Sequence, residues 1–223
     1  MSDIGIFDVL GPNMIGPSSS HTAGALRIAL MTGKMVESRP VEVTFTLYGS
    51  FAKTYRGHGT DRALLAGILG FGTEDIRIRD SFRLADEAGL RYHFIPDSET
   101  KDVHPNTVKI SLLCENRKKI EVVGVSVGGG RVSIRKINGI EVDFSGEYVT
   151  LIVEHTDRPG TVAYITSWLS NYHVNIAFMR LYREQKGERA YCIIEVDGRI
   201  PKELLQHISE YSSVSNTTLL NLV

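Results

Sequence analysis

The last third of the chain, "YVTLIVEHTDRPGTVAYITSWLSNYHVNIAFMRLYREQKGERAYCIIEVDGRIPKELLQHISEYSSVSNTTLLNLV", carries a complete rhythm of its own. A strand over Val149–Glu154 leads through "HTDRPG" into a helix that sets Val162, Ile165 and Leu169 on one stripe. Two strands follow with a turn at "EQKGE", then a short helix from Pro201 and a last strand near Leu219. Apolar residues recur at helical spacing in the helices and at alternate positions in the strands. The order βαββαβ lets two helices cover one face of a four-stranded antiparallel sheet, the ferredoxin-like solution.

The region before it follows another plan. "VEVTFTLYGS" puts Val41, Val43, Phe45 and Leu47 on one face and Glu42, Thr44 and Thr46 on the other, a half-buried strand. "TDRALLAGILGFG" reads as a short helix capped by Thr60 or Asp61 and stopped at Gly70. "NTVKISLLC" and "KKIEVVGVSVGGG" are two further strands, and "RVSIRKINGIEVDF" gives two more around Asn138-Gly139, a strong hairpin signal. Strands and helices mix here without βαβ alternation, so the fold class is α+β. A polar joint at Ser145–Gly146 sets the expected domains at 1–146 and 147–223.

The 223 residues carry a formal net charge of −1, which gives no electrostatic reason to expect nucleic acid or an acidic membrane. No apolar run is long enough to span a bilayer, and "MSDIGIFDVLGP" lacks the basic-then-apolar layout of a secretory signal. A soluble, cytoplasmic protein is expected. Cys114 and Cys192 are the two cysteines, each at the end of or inside a strand-like run. Two cannot supply a four-cysteine zinc site or a conventional iron–sulfur cluster, so buried, inert thiols are expected.

"GPSSSHTAGALRIA" places Ser18, Ser19, Ser20, His21 and Thr22 at the mouth of a helix. One serine is enough for a cap. A helix start lined with hydroxyls and free N–H groups also receives a carboxylate or phosphate, and an imidazole there can move a proton near neutral pH. Spacing alone leaves a decorated cap and an anion-binding, proton-handling site evenly matched. Three other stretches carry polar or glycine-rich loops at element ends: "GHGTD" (His58, Gly59, Thr60, Asp61), "HPNT" (His104, Asn106) and "SVGGG" (Gly128, Gly129). Each has a plain reading as turn, cap or bulge. Together they mark the kind of loop cluster in which α/β folds hold ligands.

In the C-terminal region, "EHTDRPGTVAYI", "HVNIAFMRLYR" and "AYCIIEVD" resemble the ACT domain, a regulatory module that binds amino acids. The resemblance covers 148–223 and implies an allosteric site at Asp157, Pro159, Gly160 and Asn175, or side-by-side pairing without a ligand. Gly160 would let backbone N–H groups approach a carboxylate, and Asn175 offers a donor and an acceptor. The plain alternative starts the helix at Pro159.

"GPSSSHTAG", "GHGTD", "HPNT" and "SVGGG", in that order and followed by an ACT domain, resemble the β subunit of bacterial iron–sulfur-dependent L-serine dehydratase over the whole chain. Arg131 departs from the pattern, standing where fused members are expected to carry an apolar or aromatic residue. The resemblance implies an L-serine ammonia-lyase, releasing pyruvate and ammonia. A separate α subunit would carry a [4Fe–4S] cluster whose open iron acts as Lewis acid on the substrate hydroxyl. It implies no metal ligand on this chain, His21 as the proton-transfer residue, and Ser18, Ser19, Ser20 and Thr22 on the substrate carboxylate. His58, Gly59, Thr60, Asp61, His104, Asn106, Gly128 and Gly129 become candidate substrate-binding residues, with a second, allosteric site as the other place for His58 and His104. Expected partners are the α subunit, L-serine and a second copy of the chain, met through either domain. The competing reading is a non-catalytic, amino-acid-binding regulator.

Overall fold

A computed structural model describes residues 14–222, and the N-terminal stretch read for a signal lies outside them. The chain divides into two compact units, 1–139 and 140–223.

In the first unit, a π-helical turn (Ser19–Gly24) runs directly into α1 (Ala25–Lys34). Strand β1 (Pro40–Tyr48) is followed by α2 (Gly49–Thr54), α3 (Thr60–Ile68), a 3₁₀ turn (Ile76–Asp80), α4 (Ser81–Glu87) and β2 (Arg91–Asp97). β3 (Thr107–Cys114), β4 (Lys119–Gly128) and β5 (Arg131–Ile137) follow, and the unit's strands lie in the order β2-β1-β3-β4-β5. β1 and β2 are parallel and joined through the helices, whereas β1, β3, β4 and β5 pair antiparallel. The alternation in β1 is realised: Val43, Phe45 and Leu47 are fully buried and their neighbours are half exposed. Asn138 and Gly139 both have positive φ, the mirror-image turn that a twisted two-strand ribbon requires. Helix α3 begins differently from the sequence expectation: Gly59, in a left-handed conformation, is its cap, and Thr60 and Asp61 are its first two residues.

The second unit opens with β6 (Ile140–Phe144) and continues with β7 (Val149–Thr156), α5 (Thr161–Asn171), β8 (Asn175–Arg183), β9 (Arg189–Asp197), α6 (Lys202–Ser209) and β10 (Val214–Leu220), of which β7 to β10 form a sheet. Its sheet runs β10-β7-β9-β8 with every pair antiparallel. Ile165 and Leu169 of α5 and Leu204 and Ile208 of α6 pack on Leu151, Val153, Cys192, Ile194 and Val196 of the sheet. The expected α+β class and ferredoxin-like module are both present. Among the described residues no helix is long and apolar enough to cross a membrane.

Candidate functional site

The site grows from how three loops meet the π-helical turn. Widening the turn lets the Ser18 carbonyl accept two N–H groups, from Thr22 at 2.9 Å and from Ala23 at 3.3 Å. The Ser18 hydroxyl caps it by accepting the His21 N–H at 3.1 Å. A short π segment at a helix entrance is a recurrent feature of functional sites, because it re-aims side chains that an α-turn would stack.

At the end of β1, Gly49 takes φ +54° and turns the chain into α2. This brings Ser50 Oγ to 2.9 Å from His21 Nε2, while Ser18 Oγ lies 3.4 Å from His21 Nδ1. After α2, the "GHG" loop folds back so that the His58 ring meets the His21 ring edge-on at 4.7 Å between centres. Phe51 packs against the other side of His21 at 5.4 Å. Burial, and then the neighbouring His58, push the His21 pKa below its ordinary value, so the imidazole is neutral at neutral pH. A neutral imidazole held between hydroxyls can accept a proton.

The other motifs reach this cluster mainly through their backbones. The Pro105 carbonyl of "HPNT" accepts the N–H of Ser50 at 2.7 Å and of Phe51 at 3.2 Å. The Asn106 carbonyl accepts the Ser126 N–H at 3.0 Å, and Ser126 lies directly against Gly24. The Thr22 hydroxyl, read as a carboxylate ligand, is buried and donates to the His58 carbonyl at 3.0 Å, so it fastens two loops together. Ser19 and Ser20 are half-buried, and their hydroxyls have no partner among the described residues.

Several candidates stand apart from His21. His104 is exposed, and its Nδ1 accepts the Asn106 N–H at 3.2 Å within its own loop. Gly128, Gly129 and Gly130, all at positive φ, turn β4 into β5, and the Gly130 carbonyl accepts from Arg27. Asp61 Oδ1 accepts the Arg62 N–H within α3, and burial raises its carboxyl pKa. Beside His58, a cleft of about 270 Å³ opens between Pro17, Gly59, Arg62 and Arg79. The Nδ1 of His58 is buried and has no hydrogen-bond partner among the described residues.

In the second unit, Asp157 Oδ2 takes the Arg183 guanidinium at 3.1 Å and the Gly187 N–H at 3.3 Å. Those two donors, the backbone first, hold its carboxyl below the usual range. Gly160, at φ +90°, caps α5, and the helix begins at Thr161, two residues after Pro159. Asn175 donates to Asp197 across the β8–β9 pair at 2.8 Å. Asp157 thus ties its turn to the β8–β9 hairpin, and Asn175 ties the start of β8 to the end of β9.

Ser50, Phe51 and Ser126 escaped the sequence reading. The signal for Ser50 was its place beside a glycine at a strand end, inside a stretch already singled out. Cys114 and Cys192 are both buried, and burial raises both thiols, Cys192 to about 12. Neither is a ready thiolate ligand. Among the described residues no group of three or more His, Cys, Asp or Glu gathers as a metal site would. The residues described here thus do not fit as ligands of an iron–sulfur cluster.

The molecule is an α+β protein with a hydroxyl-lined histidine site in one unit and a βαββαβ module in the other. The family model described as "Serine dehydratase beta chain" matches residues 5–136, and the ACT domain model matches 149–212. An L-serine dehydratase beta chain from Peptoniphilus asaccharolyticus is 42% identical over 92% of each chain. A probable L-serine dehydratase beta chain from Bacillus subtilis is 38% identical over 96% of each. A D-3-phosphoglycerate dehydrogenase from Methanocaldococcus jannaschii is 30% identical over 57% of this chain and 24% of its own length. The chain belongs to the serine dehydratase beta-chain family.

Proposed function

We propose that this chain is the β subunit of an L-serine dehydratase and that His21 moves the substrate α-proton during conversion of L-serine to pyruvate and ammonia. The observation that carries the reading is the neutral imidazole of His21 between Ser18 and Ser50, beside Ser19 and Ser20, whose hydroxyls have no partner among the described residues. The Ser19 and Ser20 hydroxyls, with the free N–H groups that open the helix, would receive the serine carboxylate. That fixes Cα next to His21, which takes its proton. Loss of the β-hydroxyl gives an enamine, whose imine tautomer hydrolyses to pyruvate and ammonia. We assign the [4Fe–4S] cluster to the α subunit, and the work of this chain is to bind, orient and accept the proton.

The ACT module supports the competing regulator reading. Against it, Asp157 and Asn175 are engaged with Arg183, Gly187 and Asp197 rather than left open to an effector. A regulator would also have no use for a neutral imidazole among hydroxyls.

The test is anaerobic copurification of the tagged chain with its α partner, followed by assay of pyruvate from L-serine. General acid–base groups contribute about 10²–10⁴-fold, so His21→Ala should assemble normally and lose activity on that scale. Unchanged turnover in the His21→Ala complex, at wild-type iron content, removes the histidine from the mechanism.

A further inference from the structure

An imidazole that accepts a proton keeps one nitrogen protonated and presents the lone pair of the other. The group bonded to the protonated nitrogen decides which is which; in serine proteases a carboxylate does this. Among the described residues, both ring nitrogens of His21 face hydroxyls instead.

The two hydroxyls are not equivalent. Ser18 Oγ already accepts the His21 backbone N–H, and its distance of 3.4 Å to Nδ1 is long for a hydrogen bond. With one lone pair engaged it still has its own proton to offer Nδ1. Ser50 Oγ makes the shorter contact, 2.9 Å to Nε2, and is held there by its backbone. Its N–H and that of Phe51 share the Pro105 carbonyl, and its carbonyl accepts Thr54 Oγ1 at 2.8 Å. Gly49 lies so near Pro105 that a Cβ there would come within 2.8 Å of the Pro105 Cα and carbonyl oxygen. A fixed turn therefore aims the Ser50 hydroxyl.

We infer that Ser50 is the positioning residue of His21: its hydroxyl accepts the Nε2 proton and leaves the Nδ1 lone pair facing the serine cluster. Both ring nitrogens are then paired. Nε2–H donates to Ser50, and Ser18 donates to Nδ1 while accepting the backbone N–H. A substrate carboxylate attracts the Ser18 proton more strongly than Nδ1 does, because a charged acceptor makes the shorter and stronger bond. Substrate arrival thus frees Nδ1 to act as the base. The consequence for turnover rests on the function proposed above, but the tautomer does not.

The test uses the full chain with ¹⁵N-labelled histidine, read by long-range ¹H–¹⁵N correlation, together with kinetics of the complex with the α subunit. Wild-type His21 should be mainly the Nε2–H form above its pKa. Ser50→Ala should shift the population toward Nδ1–H. It should also lower the His21 pKa, because the protonated ring loses the acceptor of its Nε2–H. In the complex kcat should fall about tenfold, the scale of one lost neutral hydrogen bond, with KM changed less than about twofold. Ser50→Thr, which keeps the hydroxyl, should restore the tautomer and most of kcat. The titratable group facing His21 is His58, whose own signals report any rearrangement of the loop. A raised His21 pKa in Ser50→Ala would mean that Ser50 donates to Nε2 and would overturn the inference, as would an unchanged tautomer population. These spectra decide on Ser50 whatever the His21→Ala complex does, so the two readings fail separately.

Discussion

Gly24 closes the π-helical turn at φ −62° and ψ −44°, a conformation open to any residue, so only space demands glycine there. A Cβ would lie 2.1 Å from Ser126 Oγ and 2.7 Å from Ser126 Cβ. Rotating the serine moves Oγ away but leaves Cβ in place. Ser126 is fully buried on β4, between its backbone bond to Asn106 and its pairing with β5, so the strand has little room to retreat. The turn that carries His21 must give way instead. Alanine would gain about 0.5–1 kcal/mol over glycine in an unobstructed helix. Overpacking costs about 1–3 kcal/mol, and two contacts to an anchored serine put this site near the upper end. Gly24→Ala should therefore lose about 1–2 kcal/mol net and reduce activity through displacement of His21. Ser126→Gly removes both obstructing atoms, together with a buried hydroxyl that has no partner among the described residues. The Gly24→Ala/Ser126→Gly double variant should be more stable than the sum of its single variants by at least about 1 kcal/mol. Urea unfolding of the four proteins, followed by circular dichroism, measures this coupling. Strict additivity would refute the reasoning, because it would mean the helix and strand do not compete for the same space.

Two further outcomes follow from the electrostatics. Burial and His58 lower the pKa of His21, so the acid limb of kcat/KM should fall below pH 6.5, and His58→Asn should move that limb upward; a limb that stays put separates the two rings electrostatically. Gly187 and Arg183 depress the Asp157 carboxyl, so its contribution to stability is complete above about pH 3.8 and lost as pH falls through the lower folded value. Asp157→Asn should flatten that acid-side loss in urea midpoints measured across this range, and an unchanged profile would show that the turn does not depend on the charge.

What the sequence discloses is periodicity, and what it conceals is commitment. Val43, Phe45 and Leu47 alternate because one face of a strand is buried, and Ile165 and Leu169 sit four apart because one face of a helix is. Each is a local property, readable wherever it occurs. The Asn138-Gly139 hairpin is legible for the same reason, since the positive φ it requires is a preference of those two residues. A hydrogen bond between loops has no such local trace. The family resemblances implied ligand-binding roles for Thr22 and Asp157, and in the structure the Thr22 hydroxyl donates to the His58 carbonyl while Asp157 accepts from Gly187 and Arg183. Ser50 looked like the end of a strand, and it acquires a role only because Pro105, far along the chain, anchors the turn that carries it.

The surplus of hydroxyls around His21 then has a physical explanation. Ser18 must cap the π-helical turn and also face Nδ1, and Thr22 must hold the "GHG" loop so that His58 depresses the imidazole. Thr22 is engaged with the His58 carbonyl, and Ser18 with the His21 backbone and ring until a carboxylate draws its proton away. In the proposed function Ser19 and Ser20, without a partner among the described residues, are the hydroxyls that would meet an anion, while Ser50, from a different element, contacts the ring. One hydroxyl cannot serve as cap, tether, anion ligand and ring holder, because each task requires it to point elsewhere. A capping argument therefore accounts for Ser18 alone. The remaining hydroxyls are what the proposed function calls for, a site that holds an anion and a neutral imidazole within reach of each other.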